Sequence, residues 1–65
     1  MRIRSLREKA CKTQKEVANG VGISEREYGH YETGYRLPKI ETLIKLADYF
    51  NVTIDYLVGR SDEIK

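Results

Sequence analysis

The chain has no tryptophan, a single cysteine, a single proline and a single phenylalanine among its 65 residues. With one thiol, Cys11, no intramolecular disulfide can staple the fold, so apolar packing has to hold it. Cys11 and His30 are far apart in sequence and have no partners at metal-ligand spacing, which excludes a zinc site. No apolar run approaches the roughly 18 residues of a membrane-spanning helix, and no secretory leader opens the chain. A lone free thiol fits a reducing compartment. Together these absences predict a soluble, cytoplasmic protein with no membrane contact. No nucleophile–base pair, phosphate-cradling glycine loop or metal set is visible, so the sequence is not expected to be an enzyme or to carry a cofactor.

Strands are lacking as well. No segment alternates apolar and polar residues for long, whereas helical spacing runs throughout. A chain of this size forms one domain and buries only about 60% of the surface its unfolded form exposes. Ile3, Leu6 and Ala10 predict a first helix near residues 2–11. Thr13-Gln14-Lys15-Glu16 is a capping box, in which the threonine hydroxyl and the glutamate carboxylate each accept from the other's backbone amide. It opens a second helix with Val17, Ala18 and Val21 inward, stopped by Gly22. Ser24-Glu25-Arg26-Glu27 reads as a second capping box, opening a third helix that ends at Gly34. Only Gly22 and Ile23 separate helix two from this cap, a tight helix–turn–helix junction. After Pro38, the residues Ile40, Leu43, Ile44, Ala47 and Phe50 predict the inner stripe of a fourth helix, with Asn51 as its stop. Thr53 caps a short fifth helix holding Ile54, Leu57 and Val58 and ending at Gly59. The domain is therefore expected over 1–59, with a polar tail at 60–65.

The net charge of +2 is unevenly spread. Residues 1–39 carry nine Lys/Arg against five Asp/Glu, and residues 40–65 carry three against five. The basic part could face a polyanion; an ordinary solvated surface explains the same numbers.

The segments "TQKEVANGVGIS", "YETGYRLP" and "ETLIKLADYFNVTIDYLVG" resemble the helix–turn–helix domain of phage repressor/Cro and XRE-type transcriptional regulators. The resemblance covers residues 3–59 and rests on an ordered set: Thr13-Gln14, Ala18, Gly22, Glu32, Gly34, Pro38 and the closing "IDYLVG". It implies an all-α, five-helix, lambda-repressor-like bundle. In such a bundle helix two lies across the DNA backbone and helix three enters the major groove. It also implies that Gln14 and Ser24 touch phosphates, that Glu25, Arg26 and His30 stand where base edges are contacted, and that Thr33 and the loop after it meet the backbone. Arg7 and Glu32 match an ion pair inside the fold. The chain departs from the pattern at Cys11, where glycine is usual, at Lys12 in place of an apolar residue, and at Tyr28 in place of a smaller aliphatic one. Gly20 and Gly29 fall in helix interiors, each costing about 0.8–1 kcal/mol relative to alanine.

On a wheel of about 100° per residue, the third helix puts Tyr28 and Tyr31 on its buried side and Glu25, Arg26, Gly29, His30 and Thr33 on its outward side. Arg26 has the fork to read guanine O6 and N7; its plainer role is an exposed helix arginine. Glu25 can accept from a cytosine amino group or simply suit the positive end of the helix. His30 can donate to a base or a phosphate. Glu27 belongs to the capping box, and Glu32 needs Arg7 to be tolerated inside. Tyr35 and Arg36 lie together in a loop where a hydroxyl and a guanidinium could both meet phosphate. Lys12, Lys15 and Lys39 are steering charges or plain solvated surface, with Lys15 placed among the phosphate contacts. Cys11 is expected half-buried. Gly29, in the middle of the outward side, would let the backbone approach a groove closely.

The expected function is sequence-specific binding of double-stranded DNA by a small transcriptional regulator, as a homodimer on a palindromic operator. Its dimer surface is expected in the C-terminal helix region, where "NVTIDYLVG" is unusually apolar. The alternative is a protein-interaction module of the same fold, such as an antitoxin or antirepressor-like subunit, favoured by Glu25 and the modest charge.

Overall fold

Local capping chemistry sets most of the element boundaries. In the computed structural model, which describes residues 1–60 and 62, the chain forms α1 (Ile3–Lys9), α2 (Gln14–Val21), α3 (Glu25–Thr33), α4 (Ile40–Phe50) and α5 (Ile54–Val58). No strand occurs among the described residues. Tail residues 61 and 63–65 lie outside the description. The box at the start of α2 is complete: Glu16 N donates to Thr13 Oγ1 at 3.0 Å, and Thr13 N donates to Glu16 Oε1 at 2.8 Å. Thr53 caps α5 by accepting from Tyr56 N. Gly22, Gly34, Asn51 and Gly59 all close their helices in the left-handed region, as their side chains permit.

One boundary and one cap differ from expectation. The first helix is shorter than 2–11, because the chain turns at Ala10 and Cys11. Cys11 has φ 56, the left-handed conformation that glycine adopts freely, and its side chain is exposed rather than half-buried. The turn is held by Cys11 N donating to Glu8 O and Lys12 N donating to Arg7 O, each at 3.1 Å. Only half of the second capping box forms. Ser24 Oγ accepts from Glu27 N at 3.0 Å, but the Glu27 carboxylate turns instead to the hydroxyl of Tyr31, one helical turn on. Tyr31 is 7% exposed, and a phenol that enters a core needs an acceptor.

The core is Ile3, Val17, Ala18, Val21, Tyr28, Tyr31, Leu46, Ala47 and Leu57. α2 packs against both α3 and α4, and α4 also meets α1 and α5. The stripe of α4 is rotated from the one expected. Leu46 is fully buried, whereas Ile40 and Ile44 are 56% and 46% exposed. Periodicity relates residues within a helix but does not say which side meets the neighbours; those lie on the Leu43–Leu46–Ala47–Phe50 side. The turn between α2 and α3 is fixed by Ile23, whose amide donates to Ala18 O at 3.0 Å while its side chain packs against the core.

The two helix-interior glycines have different reasons. A Cβ at Gly20 would lie 2.4 Å from Tyr49 Cε2, so Tyr49 packs its ring where a side chain would be. A Cβ at Gly29 would meet only Gln14 Oε1, at 3.9 Å. The same substitution should therefore act oppositely at the two sites. Gly29→Ala should raise stability by about 0.8–1 kcal/mol, or roughly 4–8 °C in melting temperature. Gly20→Ala should lower it, because displacing a packed ring costs about 1–3 kcal/mol, more than the helix gains. Thermal melting of both variants by circular dichroism checks this.

Candidate functional site

The outward side of α3 forms one wall of a shallow groove lined by Gln14, Glu25, Arg26, Gly29, His30 and Thr33. All five α3 residues expected on that side are thus brought together, and α2 contributes Gln14 from across the turn. A second groove runs between α3 and the start of α4, with Arg26, His30, Arg36 and Lys39 in its lining. Arg26 and His30 line both grooves and so stand on the ridge between them.

Some of the polar residues here have a definite local role. Ser24 uses an oxygen lone pair for the cap, so its hydroxyl hydrogen remains available to an acceptor. Thr33 Oγ1 donates to His30 O at 3.2 Å and accepts from Tyr35 N at 3.4 Å, which ties the loop to the end of α3. Arg36 N donates to His30 O at 3.3 Å. Tyr35 is 73% exposed and leans its ring on His30, with centroids 4.7 Å apart. Lys15 is exposed on the first turn of α2. Among the described residues, none of Lys15, Arg26, Arg36 and Lys39 joins an ion pair. Lys39 stands at the N-cap of α4 and faces the same groove as Arg36. From the sequence it reads equally as a steering charge or as plain solvated surface.

Behind the groove lies a polar cluster. Arg7 Nε donates to Glu32 Oε2 at 2.7 Å, and Arg7 Nη2 donates to Oε1 at 3.3 Å. Gln14 Nε2 donates to the same Oε1 at 3.0 Å. The side chain of Glu32 is 4% exposed and that of Arg7 16%. Burial pushes the Glu32 carboxyl up, but the hydrogen bonds from Arg7 and Gln14, with the Tyr28 hydroxyl nearby, outweigh it and hold the group below its ordinary range. Burial, and then the neighbouring Glu32 carboxylate, push the Tyr28 phenol well up. Gln14, which the family resemblance puts against a phosphate, therefore has one amide hydrogen already committed to Glu32.

The sequence matches the helix-turn-helix family over residues 3–57. It is 41% identical over 64 residues to the HTH-type transcriptional regulator ImmR of Bacillus subtilis (strain 168), covering 98% of this chain and 50% of that protein. It is 44% identical over 61 residues to the cryptic phage CTXphi transcriptional repressor RstR of Vibrio cholerae, covering 94% and 55%. It is 40% identical over 62 residues to the HTH-type transcriptional regulator AnsR of Bacillus subtilis (strain 168), covering 95% and 53%. The chain spans about half the length of the curated relatives it matches. No solved structure matches it.

The depressed Glu32 carboxyl has a pH consequence. Its stabilisation is fully present above the unfolded-state value of about 4.3 and is lost as pH falls through the lower folded-state value. Glu32→Gln should destabilise the domain by about 2–3 kcal/mol at neutral pH. That is below the full cost of breaking a buried pair, since Arg7 keeps some water. It should also flatten the loss of stability below about pH 4.3. Denaturant melts of both proteins between neutral and acid pH measure both effects.

Proposed function

The chain belongs to the helix-turn-helix family, and we propose that it binds double-stranded DNA sequence-specifically as a small transcriptional regulator, acting as a repressor. α3 enters the major groove, with Glu25, Arg26 and His30 toward the base edges. Lys15, Ser24, Thr33, Tyr35 and Arg36 line the flanking phosphates. The observation that carries this reading is Arg26. It stands exposed on the ridge between the two grooves, unpaired among the described residues, with Arg36 and Lys39 beside it. A guanidinium held out by a rigid helix is suited to guanine, and the loop cations are suited to a phosphate track alongside.

One such unit reads half a site. The protein acts as a homodimer on a palindromic operator, with half-sites about 34 Å apart. The C-terminal region supplies the dimer surface: Ile54, Tyr56 and Val58 are only half-buried, and α4, which packs on α5, leaves Ile40 and Ile44 exposed. The basic residues and the shape of α3 favour DNA over a purely protein partner.

Selection of bound sequences from random DNA should yield a palindromic consensus, and binding to it should fall steeply with salt. A pool with no enrichment would favour the protein-interaction role. Arg26→Ala should abolish preference at one base pair, worth about 1–3 kcal/mol of discrimination, and leave the rest of the consensus intact. Sedimentation of the protein alone and on operator DNA should find two copies on the DNA; a monomer in both states sinks the dimer.

A further inference from the structure

We infer that Gln14, from α2, reads a base, and that the base is adenine. The inference rests on the DNA-binding reading above and concerns what its second helix contributes. The argument starts from Glu32, whose carboxylate can only accept hydrogen bonds. The side-chain amide facing it must therefore present its nitrogen, and Gln14 Nε2 lies 3.0 Å from Glu32 Oε1. The bidentate contact with Arg7 fixes Glu32 in turn. Gln14 is thus held in one of its two flip states by a nearly buried charge.

The other end of the amide follows. Oε1 points over α3 at the one outward position with no side chain, 3.9 Å from where a Cβ of Gly29 would stand. No hydrogen bond among the described residues uses this oxygen, and it is not a buried, unsatisfied atom, so it opens into the groove beside Glu25, Arg26 and Gly29. A phosphate offers only acceptors and cannot bond Oε1. A base with an amino group can. Adenine presents the N6 amino donor beside the N7 acceptor in the major groove, which matches the free oxygen and the second amide hydrogen of Gln14. The gap at Gly29 is the route by which a base edge reaches an amide that belongs to the neighbouring helix. Gln14 is then a specificity-determining residue, and Glu32 is the positioning residue that sets its orientation.

The test compares consensus sequences selected from random DNA by the wild-type protein and by Gln14→Ala. The wild-type consensus should contain an adenine preferred by about five- to a hundredfold. In Gln14→Ala that preference should vanish, while the base pair lost in Arg26→Ala persists. Glu32→Gln, which lets the amide flip, should broaden the same position and no other. An unchanged consensus in Gln14→Ala, with all sequences weakened alike, makes Gln14 a phosphate contact and overturns the inference. Should Gln14→Ala fail to fold, the wild-type protein is measured on its selected site with 7-deazaadenine at each adenine in turn. One position should weaken by about three- to tenfold for the lost N7 bond. Equal affinity at every position overturns the inference. If the wild-type protein enriches no sequence, the DNA-binding reading itself fails and takes this inference with it. That result differs from an enriched consensus indifferent to Gln14.

Discussion

The carboxylate of Glu32 accepts from Arg7 of α1 and from Gln14 of α2 while it stands on the last turn of α3, so three helices share one charge. Desolvating such a pair costs roughly several kcal/mol per ion, and apolar residues of similar volume would often hold the helices together as well. The pair adds direction. A guanidinium fork meets a carboxylate in few geometries, whereas leucines tolerate sliding. With a core of nine buried residues among those described, the domain has little apolar redundancy to prevent α3 from rolling on α2. Arg7 resists that roll from a helix that contributes nothing to either groove itself.

The same carboxylate organises the outward side of α3 indirectly. It takes up an amide hydrogen that would otherwise leave Gln14 free to flip, and it withdraws one of the three acidic residues of "SEREYGHYETG" into the fold. Tyr31 withdraws a second, Glu27, by hydrogen bonding across one turn. Glu25 alone remains on the groove, beside Arg26 and His30. An element acidic in composition therefore presents a surface close to neutral. Side-chain partners behind the helix, and not its sequence average, set the charge it shows.

Much of this was legible because it is local. Thr13 with Glu16, Thr53, and the glycines at 22, 34 and 59 act on their own or adjacent turns, and their chemistry needs no knowledge of the rest of the chain. The outward set on α3 was legible too, since two tyrosines mark the opposite face. Three features were not. Glu27 fits the capping-box pattern, but the buried phenol at Tyr31 competes for it, and that burial is a tertiary fact. α4 is apolar around more than half its circumference, so its sequence admits several inward directions; its neighbours select Leu46 over Ile44. Cys11 sits where the family has glycine, yet the turn stays left-handed. Its two backbone hydrogen bonds suffice against a conformational cost of about 1–2 kcal/mol.

The near-neutral groove bears on how such a domain would discriminate. Three cations flank the proposed reading helix without an ionic partner among the described residues: Lys15, Arg36 and Lys39. Each phosphate neutralised steepens the salt dependence by about 0.9 in the logarithmic slope, and that contribution is the same for every sequence. A domain with few such contacts gains little from non-specific DNA, and Glu25 lowers that gain further. The ratio of specific to non-specific affinity then depends on the base-facing groups and on their being rigid. Rigidity is what the cluster around Glu32 supplies, for it fixes the roll of α3 and the flip state of Gln14 with the same two oxygens. A more basic helix would bind more tightly everywhere and would need this cluster less.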